Sequence, residues 1–184
     1  MPCQFKELEL GGVILVVPRV FTDDRGYFLE TYKYSEFAAA GITERFVQEN
    51  HSFSTAKVVR GLHFQSAPKA QGKLVRVVQG SIWDVAIDLR PTAPTFGKWV
   101  AAELSEENKH QLYLPPWCAH GFCVVSETAQ VVYKVTDEYS PEHERGIAWD
   151  DAQLAIDWPE KQPGLSARDQ RWPSFAEATK RSEP

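Results

Sequence analysis

KLVRVVQGSIWDVAID, residues 73–88, is two short runs of β-branched and aliphatic residues, Leu74–Val78 and Ile82–Asp88, with Gly80 between them. Such runs bounded by turn formers read as strands. From Ser81 to Asp88 the side chains alternate: Trp83, Val85 and Ile87 share one face, while Ile82, Asp84, Ala86 and Asp88 share the other. An acidic residue is therefore expected to point into a cavity. Outward from this stretch the pattern recurs at Val13–Val17, Tyr27–Tyr32, Val58–Phe64, Trp99–Leu104, Gln111–Leu114, Gly121–Val125 and Ala129–Thr136. This spacing predicts an all-β sandwich or barrel. Helices are predicted to be few and short: Ser35–Ala40, stopped by Gly41, and one near the C-terminus, where Ser174 and Glu177 form a capping-box pattern. Trp158–Trp172 contains Pro159, Pro163 and Gly164 and reads as an irregular strap over the β core, carrying Asp169.

The chain of 184 residues is the size of one domain, with 43% hydrophobic residues and no massed Gly or Pro. A net charge of -5 argues against a nucleic-acid surface, which needs gathered Lys and Arg. The N-terminus MPCQFKELELGG has neither the basic start nor the apolar stretch of a signal peptide, and no run reaches the length of a membrane span. A cytoplasmic location without membrane partners is the expectation. Cys3, Cys118 and Cys123 form an odd set without CxxC spacing and read as small buried hydrophobes rather than as zinc ligands, disulfides or a nucleophile. Asn50-His51-Ser52 fits the glycosylation pattern by chance. No GxGxxG, Walker loop, GxSxG or HExxH is present, which removes nucleotide-cofactor folds and serine hydrolases.

The chemistry concentrates in RGLHFQ (60–65) and Lys73. An imidazole at the end of one strand and a cation at the start of the next suit proton handling beside a developing negative charge. A histidine on a β-barrel strand also raises the cupin comparison, in which HxH and a glutamate hold a metal. Here the corresponding positions are His63, Gln65 and Lys73, followed by Gly80 at the expected spacing, and the later motif keeps only His120. An ammonium cannot ligate a divalent cation and repels it, so no metal is predicted; the lysine suits an anion.

The segments RGLHFQ (60–65), QGKLVRVVQGSIWDVAIDLR (71–90), LPPWCAHGF (114–122), YKVTDEYSPEHERGIAWDD (133–151) and LSARDQ (165–170), with DDRGYFLE (23–30) and FVQEN (46–50), resemble the dTDP-4-dehydrorhamnose 3,5-epimerases over nearly the whole chain. The resemblance implies a single cupin-like jelly-roll β-barrel domain over 1–184 with a few short peripheral helices, a homodimer, and neither metal nor organic cofactor. It implies inversion at C3 and C5 of dTDP-4-dehydro-6-deoxy-D-glucose through enolates, giving dTDP-4-dehydro-L-rhamnose for dTDP-rhamnose biosynthesis. Relatives that invert only C3 or C5, and a non-catalytic sugar-nucleotide-binding jelly roll, are the alternatives.

Carried onto this sequence, the resemblance makes His63 the base, Asp169 the carboxylate that orients it, Tyr133 the acid on the opposite face and Lys73 the enolate-stabilising cation. Substrate contacts fall on Arg25, Glu30, Gln48, Asn50, Arg60, Lys73, His120, Glu144 and Arg168, with Tyr139 stacking on the thymine and Phe21 near the pocket. Arg25 and Glu30 are expected to complete the neighbouring subunit's site. Position 168 is usually lysine in these relatives; arginine keeps the charge and offers a planar fork to phosphate. Taken alone, His63 and Tyr133 would read as core residues, Tyr139 as a turn residue, and Lys73, Asp169 and most of the contacts as solvated surface.

Overall fold

A computed structural model describes residues 3–180. The strands are β1 (Cys3–Glu7), β2 (Ile14–Pro18), β3 (Phe21–Asp23), β4 (Gly26–Phe28), β5 (Gln48–Thr55), β6 (Val59–Gln65), β7 (Lys73–Gln79), β8 (Ser81–Asp88), β9 (Trp99–Ser105), β10 (Gln111–Leu114), β11 (Cys118–Val124), β12 (Thr128–Val135) and β13 (Glu144–Gly146). Two antiparallel sheets face each other as a cupin-like jelly roll, one ordered β1-β2-β10-β7-β12-β5 and the other β13-β6-β11-β8-β9; β3 and β4 form a separate hairpin. The two helices are α1 (Tyr34–Ala39) and α2 (Phe175–Lys180). No helix among the described residues is long and apolar enough to cross a membrane.

The alternation in β8 is realised. Ile82 and Ala86 enter the core between the sheets with Val75, Leu112, Phe122 and Val131. Val85 and Ile87 turn to a second core on the outer side, where Leu154, Trp158 and Phe175 cover the sheet. Each apolar side chain fully withdrawn from water contributes about 1.5–3 kcal/mol, so the second core holds the segment after β13 firmly against the barrel. Trp158 also donates its indole N–H to the Trp149 carbonyl at 2.7 Å. The strap is irregular as predicted, apart from a 3-10 turn at Asp169–Arg171. Ser174 and Glu177 make both bonds of the capping box: Glu177 N–H donates to Ser174 Oγ at 3.3 Å, and Ser174 N–H to Glu177 Oε2 at 3.2 Å.

The sequence reading did not include β1, β3 and β13, and three further elements differ from it. The strand predicted over Tyr27–Tyr32 is reduced to β4, whose exposed residues pair only with β3. β11 begins at Cys118, so His120 lies within a strand. The polar segment β5 is an edge strand of the first sheet, paired with β12 from Gln48↔Val135 to Thr55↔Thr128.

Candidate functional site

A cavity of about 320 Å³ opens between the two sheets at the β5 and β6 end. Its wall on the first sheet carries Gln48, Asn50 and Ser52 from β5, Lys73 from β7 and Tyr133 from β12; the facing wall carries Arg60, His63 and Gln65 from β6 with His120 and Phe122 from β11. Tyr139, Glu144 and Arg168 close the rim.

The β6 wall depends on one extra residue. His120 pairs with His63 and Phe122 with Arg60, so three steps along β6 oppose two along β11. This β-bulge resets the alternation: Val59, Leu62 and Phe64 pack outward, while Arg60, His63 and Gln65 face the cavity. In an unbroken strand His63 would lie on the same face as Val59, away from the cavity. Gly61 makes the bulge possible. Its φ is +139°, and a Cβ there would stand 2.6 Å from Gly121 Cα on the neighbouring strand.

His63 Nε2–H donates to Asp169 Oδ1 at 2.6 Å. With that proton on Nε2, Nδ1 is left to accept one. Asp169 is itself fixed: Trp172 Nε1–H donates to its Oδ1 at 3.1 Å, and its own N–H donates to Ser166 Oγ at 3.0 Å. Burial works to raise the Asp169 pKa, but the bonds from His63, Trp172 and Ser166 and the His63 charge outweigh it, and the carboxyl titrates below its ordinary value. Trp172 fits beside His63, with ring centroids 6.0 Å apart, because β13 presents Gly146 beneath it; a Cβ at that glycine would come within 2.3 Å of the indole.

Lys73 is 8% exposed, and its Nζ donates to the His63 carbonyl at 3.3 Å. Burial lowers its pKa from 10.5 to about 8, opposed chiefly by the Asp84 charge. Tyr133, on the opposite sheet from His63, has its phenol pKa raised by burial, partly offset by Arg60 and Asn50. His120 donates from Nε2 to Asp84 Oδ1 at 2.5 Å, and burial lowers its pKa despite that partner.

The rim is organised by Glu144, whose Oε2 accepts from Tyr139 Oη at 2.8 Å and Arg168 Nη1 at 2.5 Å. Tyr139 remains 49% exposed, a ring face open for stacking. Arg60 Nε donates to Ser54 Oγ at 2.8 Å and its Nη2 to the Phe53 carbonyl at 3.0 Å, which fixes the direction of the cation. Gln65 is a brace: its amide donates to the Lys69 and Glu138 carbonyls and accepts from Ser140 N–H. It therefore holds the turn that bears Tyr139. Among the described residues no three His, Cys, Asp or Glu side chains gather to hold a metal ion.

Of the sequence-derived site residues, the structure gathers His63, Lys73, Tyr133, Gln48, Asn50, Arg60, His120, Tyr139, Glu144 and Arg168 around one cavity, with Asp169 directly behind His63. Arg25 and Glu30 do not reach it. Arg25 lies beyond the barrel on the β3–β4 hairpin, its side chain 90% exposed and paired with Asp23 at 2.5 Å. Phe21, on the same hairpin, stacks under Arg19 rather than lining the cavity. The Cys118 thiol is buried and its pKa is pushed up, so it is no thiolate nucleophile. Sequence reasoning missed Asp84 as the partner of His120, and missed Trp172 and Gly146. The expectation that an acidic residue on the Asp84 and Asp88 face of this strand points into a cavity was the one available signal.

The chain matches the family described as dTDP-4-dehydrorhamnose 3,5-epimerase over residues 7–177. The enzyme of that name from Pseudomonas aeruginosa is 52% identical over 173 residues, covering 93% of this chain and 95% of the relative. The crystal structure of dTDP-6-deoxy-D-glucose-3,5-epimerase from Legionella pneumophila, in complex with dTDP-4-keto-L-rhamnose, superposes with a TM-score of 0.94 at 42% identity, covering 99% of this chain and 97% of that one. The Bacillus anthracis dTDP-4-dehydrorhamnose 3,5-epimerase, solved with TDP and PPi bound, has a TM-score of 0.92 at 44% identity, covering 94% and 99%.

Proposed function

The chain belongs to the dTDP-4-dehydrorhamnose 3,5-epimerase family, an isomerase family, and we propose that this cavity inverts C3 and C5 of a dTDP-4-keto-6-deoxy sugar without metal or organic cofactor. The observation that carries this reading is the division of labour across the cavity. A histidine oriented by a carboxylate stands on one sheet, a tyrosine on the facing sheet, and a buried ammonium is bonded to the histidine's own carbonyl.

Both C3 and C5 flank the C4 ketone, so loss of either proton gives an enolate with its charge on the C4 oxygen. His63 Nδ1 takes the proton while Asp169 holds the resulting imidazolium in place. Lys73 stabilises the enolate oxygen, an interaction whose loss typically costs about 2.7–4 kcal/mol. Tyr133 returns a proton from the other face, completing the inversion. Arg60 and Arg168 supply charge for the diphosphate and Tyr139 a face for the thymine, while Gln48, Asn50, His120 and Glu144 contact the remaining polar groups.

Two further parts of the reading concern assembly and place. Arg25 and Glu30 are outside this cavity, and the hairpin carrying Arg25 exposes Phe21, Tyr27 and Phe28. That combination supports a homodimer in which the hairpin region completes the partner's site. The chain is read as one epimerase domain working in the cytoplasm.

Incubation with dTDP-4-dehydro-6-deoxy-D-glucose in D2O tests the function. Deuterium is expected at both C3 and C5. Exchange at one carbon would replace the reading by a narrower epimerase, and no exchange by a binding protein.

A further inference from the structure

Asp84 sits on β8 with its side chain wholly buried. Its Oδ1 accepts from His120 Nε2 at 2.5 Å, and its Oδ2 is enclosed with no hydrogen-bond partner among the described residues. Buried carboxylates are normally paired and satisfied, and an apolar residue of similar volume usually packs at lower cost. Asp84 is thus an expensive residue at a position that stability alone does not explain.

Its neighbours supply the explanation. Facing His120 are Asp84, Lys73 and His63, and burial keeps that imidazole neutral. A neutral imidazole carries one N–H, and a carboxylate against Nε2 places it there. Nδ1 then has no hydrogen-bond partner among the described residues, while the ring lines the cavity.

We propose that Asp84 is a positioning residue of the epimerase site: it holds His120 in the tautomer that presents a bare Nδ1 to a hydroxyl of the keto sugar. The sugar comes from the epimerase reading; the tautomer is a property of the ligand-free protein.

The test begins with nuclear magnetic resonance of ligand-free protein at pH 7. Spectra of 15N-histidine, with His120 assigned through His120→Gln, are expected to show hydrogen on Nε2 and a bare Nδ1. In Asp84→Asn, whose amide donates to Nε2, the hydrogen moves to Nδ1, and kcat falls on the order of 10²-fold. Hydrogen on Nδ1 or on both nitrogens of wild-type His120 overturns the proposal. So does an Asp84→Asn enzyme that merely melts earlier with the tautomer unchanged. If that variant does not fold, the wild-type spectra still decide. If wild-type protein exchanges no deuterium, the epimerase reading falls, and the spectra judge Asp84 separately.

Discussion

Arg60 and His63 are three residues apart on β6 and face the same cavity, because Gly61 carries an extra step of backbone between their two partners on β11. Gly61→Ala places a side chain at φ +139° and within 2.6 Å of Gly121. It is expected to cost about 1–3 kcal/mol in thermal unfolding and to lower turnover at least tenfold in the molecules that remain folded. Gly41→Ala is the control. Gly41 also has positive φ, at +93°, but no atom lies near its missing Cβ. It should lose comparable stability with turnover intact; equal kinetic damage in both variants would show that the bulge has no special role.

Asp169→Asn keeps the shape beside His63 and removes the charge that would hold an imidazolium in the proposed mechanism. Turnover is expected to fall by about 10²–10⁴-fold with binding of dTDP little changed. Acid titration gives a second reading. The folded pKa of Asp169 lies below the unfolded value, so its contribution to stability is present above the unfolded pKa and disappears as pH falls through the folded one. Wild-type protein should therefore lose more stability below about pH 4 than the variant does. Parallel acid unfolding curves would remove the charge argument.

Lys73→Met should separate stability from catalysis. A lysine whose pKa drops from 10.5 to about 8 on folding destabilises the folded state while it is charged. The penalty is fully present below pH 8 and is relieved as pH rises toward 10.5. Methionine is expected to raise stability at pH 7 by on the order of 2 kcal/mol and to cut turnover by about 10²–10³-fold. In the wild type, activity should decline above about pH 8 as the ammonium is lost. A less stable Lys73→Met protein would contradict this balance.

The two tyrosines should fail differently. Tyr133→Phe is expected to retain release of the C3 and C5 protons and to lose inversion, since the proposed base His63 remains and the proposed acid on the facing sheet is gone. Tyr139→Ala removes the exposed ring and its bond to Glu144. A stacked base is worth about 1–3 kcal/mol, so dTDP should bind roughly tenfold or more weakly. Calorimetry with dTDP and exchange assays in D2O read the two effects. Equal losses of proton release and inversion in the first variant, or unchanged affinity in the second, would reassign the residue.

How far the sequence reveals this site varies from strand to strand. β8 is legible because both its faces meet apolar cores, so its alternation is visible around Asp84. β5 is illegible for the opposite reason. Its inward positions Gln48, Asn50 and Ser52 line a polar cavity and its outward ones include Glu49 and His51, so no hydrophobic period marks it as a strand. The bulge is hidden as well: strict alternation from Val59 would point His63 away from the cavity, and only family resemblance placed it correctly. Asp169 and His63 are 106 residues apart, a pairing that no local pattern encodes. Arg25 and Glu30 matched the family in sequence but lie outside this chain's cavity, which the proposed homodimer would explain by letting them complete the partner's site.

That long separation bears on when the protein becomes an enzyme. Every strand of the barrel precedes Asp169 in the chain, and so do His63, Lys73 and Tyr133. A ribosome therefore releases the cavity walls before the carboxylate bonded to the proposed base, and the strap must dock on the outer core to deliver it. In the proposed mechanism, catalytic competence is consequently acquired only after the barrel strands have been made, and its first appearance reports that the strap has found its place.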